Sequence, residues 1–137
     1  MIRNNTTAFA ALALLVAAPI LAAPALSTVA ASSPAVKNAL AATDLAGAQK
    51  MIGKTGAFQG TVTKVYSPSD HDLLILDFAK NYKEALTGFV GKSDMAQFTG
   101  LAAMVEGKRV LISGKFIAYH GNPEIVLTSP TQIVLVK

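Results

Sequence analysis

An all-β fold with minor helix, built as a five-stranded Greek-key barrel, is what residues 56–137 predict, on three observations. Stretches rich in β-favouring residues alternate between two faces with period two. Clusters of Ser, Pro, Asn, Asp and Gly separate those stretches, and one helical period interrupts the series after its third member. A short N-terminal helix precedes the strands.

The chain begins with Arg3, a polar Asn4-Asn5-Thr6-Thr7 stretch and an apolar run over residues 8–18 that Pro19 interrupts. This is the layout of a signal peptide, and the small residues around Ala23-Pro24-Ala25 predict cleavage after Ala25, with Ala30 as the second choice. An uncleaved anchor is the competing reading, which Pro19 and Pro24 inside the run disfavour. The expected organisation is therefore a leader at 1–25, a flexible linker of alanine, serine and proline at 26–42, and one domain at 43–137, periplasmic or secreted and without stable membrane insertion. Cysteine is absent, which excludes a lipoprotein anchor, disulfides, thiolate chemistry and cysteine-based metal sites.

Thr43 stands where a helix N-cap belongs, with Asp44 in the first turn and Leu45, Ala48, Met51 and Ile52 at helical spacing up to Gly53. Gly53-Lys54-Thr55 lacks the preceding glycine and following helix of a phosphate loop, so it reads as a helix stop. The first strand spans 56–66, with Phe58, Gly60, Val62, Lys64 and Tyr66 on one face and a bend expected at Gly60. Because Lys64 and Tyr66 share that face with Phe58 and Val62, one group must change environment along the strand.

The second strand, 72–79, is apolar on both faces at Leu73-Leu74-Ile75-Leu76, and the third covers 86–91. Ser93 is the expected cap of a helix carrying Met95, Phe98, Leu101, Ala102 and Val105 on one stripe, stopped by Gly107. Strand four, 109–118, points Val110, Ile112, Gly114 and Phe116 one way and Leu111, Ser113, Lys115 and Ile117 the other. The Gly121-Asn122-Pro123 turn then leads into a strand at 124–128, and after Ser129-Pro130 residues 133–136 continue or replace it at the seam. Three strands, a helix and two strands is the order of an OB barrel.

At this point the pattern of residues 56–66, 74–78, Phe98, 107–114, 119–125 and 130–133 resembles a bacterial family of exported OB-fold domains. These are similar to nucleic-acid-binding OB modules and to staphylococcal-nuclease-like domains without the catalytic residues. The most specific element is Tyr119, Gly121, Pro123 and Ile125 followed by Pro130, Gln132 and Ile133. The resemblance implies a barrel that binds nucleic acid or another ligand. It implies no nuclease activity, because calcium-dependent cleavage needs a carboxylate cluster and paired arginines, whereas Arg109 is the only arginine after Arg3.

No catalytic residue, metal ligand or cofactor is assigned. His71 and His120 fall in two loops without ligand spacing, and a zinc site would need a third donor at about 2.0–2.2 Å. Asp70-His71-Asp72 reads as a polar turn, since neighbours in an extended chain point apart. Single-strand binding on an OB surface joins stacking aromatics to lysines that follow the phosphates. The candidates are Tyr66, Tyr119 and His120 for stacking, with Lys64, Lys115 and Arg109 for charge. The leading expectation is an exported, non-catalytic module for single-stranded nucleic acid or a related anionic ligand. The alternative is an envelope domain that holds a protein or peptide, which lysines scattered away from Tyr66 and Tyr119 would favour.

Overall fold

Val62 is where the first barrel strand breaks in two. The structure, a computed structural model, describes residues 26–68 and 70–137; the expected leader lies outside them. Among the described residues β3 (Thr55–Thr61) pairs antiparallel with β7 (Arg109–Tyr119), while β4 (Lys64–Tyr66) pairs with β5 (Leu74–Asp77). Between the two pieces Val62 exchanges backbone hydrogen bonds with the turn before β7, donating to Lys108 O (3.0 Å) and accepting from Gly107 N (2.8 Å). Thr63 donates to Asp77 O from its backbone (2.8 Å) and from Oγ1 (3.0 Å). The alternation is therefore reset: Phe58 and Val62 are fully buried, and past the break Val65 points inward while Lys64 and Tyr66 point out. This corrects the expected bend at Gly60. That glycine lies inside β3, where a Cβ would sit 2.8 Å from Ala42 Cβ and 3.1 Å from the Phe78 ring.

From β5 the pairing passes to β6 (Thr87–Val90), then in parallel to β8 (Asn122–Val126), and from β8 to β7, which returns to β3. The path comes back on itself through the Val62 link, giving an all-β, OB-like fold. One register row, Val65, Leu76, Gly88, Ile125 and Phe116, points inward across it. Its side chains join Phe58, Val90, Ile112, Leu127 and Ile133 in the core, where Phe58 meets Phe78 edge to face at 5.1 Å.

Among the described residues nine strands are present instead of five. The break at Val62 accounts for one, and three short strands account for the rest. β1 (Thr28–Val29) runs parallel to β9 (Ile133–Val136), which pairs with β7, and β2 (Leu40–Ala41) runs parallel to β3. Residues 26–42, expected as a flexible linker, are thus joined to the sheet edges. Ladder bonds use backbone groups only, which alanine and serine supply as well as any residue. Between these strands Ser33 caps α1 (Pro34–Lys37), with Pro34 at its start and Val36 buried.

Asp44 caps α2 (Leu45–Met51), accepting from Gly47 N at 2.9 Å, in place of the expected Thr43. The helical stripe after the third strand is kept, with Phe98, Leu101 and Val105 buried, but the segment is two pieces. A 3₁₀ run at Lys92–Phe98 ends at Gly100, whose left-handed backbone (φ 76°) restarts the chain as α3 (Leu101–Val105). Ser93 does not cap; its hydroxyl donates to Asp94 at 3.4 Å. Among the described residues no helix is long and apolar enough to cross a membrane.

Candidate functional site

The outward rows on either side of the core row build the floor of a groove. One row runs Tyr66, Ile75, Phe89, and the other runs Asp77, Thr87, Glu124, continued past the groove by Lys64 at one end and Ile117 at the other. Above this floor stand Leu73 from the β4–β5 loop, Tyr82 from a 3₁₀ turn at Tyr82–Glu84, and Tyr119, His120 and Asn122 from the β7–β8 hairpin. The cavity has a volume of about 400 Å³. It lies on the outer face of the second and third barrel strands between two loops, the place where OB barrels take ligands.

The hairpin is a two-residue turn in which His120 (φ 48°) and Gly121 (φ 81°) are both left-handed and Tyr119 pairs with Asn122. Two positive φ values in succession define a type I′ turn. This moves the reversal one residue earlier than the expected Gly121-Asn122-Pro123. Gln49 of α2 fixes the tip, its Nε2 donating to Gly121 O at 2.9 Å. The Tyr119 and His120 rings meet edge to face at 4.2 Å. Three tyrosines of the groove remain exposed, Tyr66 at 45%, Tyr82 at 54% and Tyr119 at 59%.

Two carboxylates flank Thr87 in the floor. Glu124 is only 8% exposed, and its Oε2 accepts from Thr87 Oγ1 at 3.4 Å. Asp77 Oδ1 is buried and has no hydrogen-bond partner. Burial raises both carboxyls above their ordinary range, offset in Glu124 by the Thr87 hydrogen bond and in Asp77 by the positive charge of Lys64. Yet Lys64 forms no ion pair with Asp77. Its ammonium lies over the Tyr66 ring, 5.5 Å from the centroid.

Of the residues singled out from sequence, Tyr66, Tyr119 and His120 come together in the groove, with Lys64 at its margin. Lys115 and Arg109 do not join them. Lys115 is opposite Thr55 in the β3–β7 ladder. Arg109 is at the far end of the strand that ends in Tyr119, about 30 Å away at the usual rise per residue, and its Nε donates to Gln59 Oε1 at 2.9 Å. His71 sits in an exposed turn against Asp70. Sequence reasoning gave neither Asp77 nor Glu124 a role in a groove, and considered Glu124 only as a nearby third donor for the disfavoured zinc site. The available signal was a charged residue inside an apolar strand, at Leu76-Asp77-Phe78 and again at Pro123-Glu124-Ile125.

No family model and no curated protein matches this chain. Among solved structures it is similar to an aspartyl-tRNA synthetase from Entamoeba histolytica, with a TM-score of 0.51 and 20% identity over 85% of this chain and 27% of that one. It is also similar to two OBodies bound to hen egg-white lysozyme. AM1L10 has a TM-score of 0.47 and 18% identity over 63% of this chain and 82% of its own, and AM3L09 has 0.47 and 16% over 63% and 84%. At these identities the likeness concerns the fold.

Proposed function

We propose that this domain is an exported, non-catalytic binding module that holds a segment of an envelope protein in the groove between the β4–β5 loop and the β7–β8 hairpin. The observation that carries this reading is the chemistry of the groove. Aromatic rings that suit side-chain packing stand over a floor whose fixed charges are carboxylates. A phosphate backbone brought to Asp77 and Glu124 meets like charge in a partly desolvated site, which costs affinity. A polypeptide offers N–H donors and basic side chains to the same groups. Export rests on the pattern of residues 1–25.

Single-stranded nucleic acid is a second reading, favoured by one feature: Tyr66 with Lys64 over its ring, beside Tyr119 and His120, offers a stacking surface with one cation. Photo-crosslinking from a benzophenone amino acid at position 119, in cells and followed by isolation of adducts, separates the two. Envelope proteins joined to the domain are the expected result. Nucleic acid adducts, together with oligonucleotide affinity that falls steeply with salt, would overturn the polypeptide reading.

A further inference from the structure

The charges of the groove oppose those of the chain. The sequence has a formal net charge of +4, but the floor of this aromatic cavity holds two carboxylates, and among the described residues neither has an ion-pair partner. Among the described residues the ion pairs are the exposed ones of Asp70 with His71 and of Asp72 with Lys92. A buried carboxylate is costly unless it is paired and hydrogen-bonded, and Asp77 Oδ1 is neither.

Resting on the polypeptide reading above, we infer that the groove selects a segment by one basic side chain, an arginine guanidinium that enters between Tyr66, Tyr82 and Tyr119 and meets Asp77 and Glu124. Strand spacing sets the two carboxylate-bearing backbones roughly 10 Å apart, on either side of β6. Between them Thr87 is short, so the space above it is open to a group that reaches both. A planar guanidinium suits this place on two counts. Its five donors can serve two acceptors at once, and its face stacks on aromatic rings. An ammonium also brings three donors, but it lacks the planar face that stacks on the tyrosine rings.

Other charged and titratable groups facing the pair are few. Lys64 adjoins Asp77 across the β4–β5 ladder but rests on Tyr66, Lys83 rests on the rim ring of Tyr82 at 5.8 Å, and His120 borders the groove from the hairpin. Binding a guanidinium favours the ionised carboxylates, so occupancy must release protons, and affinity must drop as acidification neutralises Asp77 and Glu124. A protonated His120 would act in the same direction, and the His120→Asn variant separates the two contributions.

The test uses agmatine first and peptides second. Agmatine is titrated into the purified chain up to millimolar concentration while amide shifts are followed by NMR. Perturbations centred on residues 77, 87 and 124, weakened about tenfold or more in Asp77→Asn and in Glu124→Gln, are expected. No perturbation there, or equal effects in wild type and in the double variant, overturns the inference. Peptides selected on the domain are then remade with citrulline for arginine. Loss of about tenfold in affinity supports the inference, and unchanged binding refutes it while leaving the polypeptide reading intact. Agmatine binding with no peptide selected is the opposite outcome, in which the guanidinium site stands and the polypeptide reading fails.

Discussion

Gln132 fills the space that Gly114 leaves empty: a Cβ on Gly114 would sit 2.8 Å from Gln132 Nε2 and 2.8 Å from Ile125 Cγ2. The contact marks a fork in the sheet. One edge of β7 serves β9 at residues 110–112 and β8 at residues 116–119, and between them its backbone has no strand partner on that side. The Gln132 amide closes the gap by donating to Ser113 O (3.0 Å) and Val126 O (3.2 Å), while its Oε1 accepts from Thr128 N (2.8 Å) and Ser129 N (3.0 Å).

Gly114→Ala is accordingly expected to destabilise the fold by about 1–3 kcal/mol, the usual cost of forcing extra volume into a packed site. Gln132→Ala should fall in the same range, because it leaves partly buried backbone groups without partners. Urea unfolding midpoints measure both. A midpoint for Gln132→Ala equal to that of wild type would show that water replaces the amide at no cost.

His120→Gly should retain or gain stability, by up to about 1 kcal/mol, since an L-residue with a left-handed backbone is strained and glycine is not. The same variant removes the ring that packs against Tyr119. Ligand affinity should therefore fall while the unfolding midpoint does not, a combination that loss of fold cannot produce. A lowered midpoint would mean that the ring contributes more to the hairpin than its backbone strain costs.

Much of this architecture is legible in the sequence because period-two alternation survives tertiary packing. Val110, Ile112 and Phe116 are buried as their spacing requires, and so are Phe98, Leu101 and Val105 at helical spacing. The break at Val62 is less visible, since it arises from two different partners competing for one strand. The short strands β1 and β2 are invisible for another reason. They are specified by backbone pairing, and their composition of small residues is also that of a tether. Gly100 could have been noticed as the interruption of the helix.

Only part of the aromatic half of the candidate groove was legible, since Tyr82 was not expected beside Tyr66 and Tyr119. Tyr66, Tyr119 and His120 lie near recognisable turns, so their gathering follows from the expected strand order. Asp77 and Glu124 are far apart in sequence, and only the register of β5, β6 and β8 sets them on either side of Thr87. The formal net charge of +4 does not reveal them, because it sums over a surface and carries no information about one groove.

The pH dependence of stability follows from the same pair. Burial raises both carboxyls, so the folded chain holds protons that the unfolded chain releases. Stability must then decline as pH rises from the ordinary carboxylate range through the raised folded values, with the full penalty remaining above them and none below the unfolded values. Other carboxylates overlay their own titrations, which makes the comparison with variants decisive. In Glu124→Gln and Asp77→Asn the decline should be reduced, and both proteins should be at least as stable as wild type near neutrality. Parallel stability curves for wild type and the double variant across that window would contradict the burial argument.

Under the proposed export, the processed chain is expected to begin at Leu26, and the pairing of β1 adds a structural argument to the sequence pattern. Leu135 N donates to Ser27 O at 2.8 Å and Lys137 N to Val29 O at 2.9 Å, so β1 covers an edge of β9 that would otherwise be open. Cleavage after Ala30 would remove that strand and leave β9 as an exposed, apolar edge, Ile-Val-Leu-Val, of the kind that promotes edge-to-edge pairing. Intact-mass measurement on protein recovered after export determines the cut. Chains starting at residue 26 and at residue 31 can also be made directly, and the shorter one should unfold at lower urea and self-associate at concentrations where the longer one stays monomeric. Equal stability and equal solubility of the two would show that β1 is dispensable, and the second cleavage position would then carry no structural penalty.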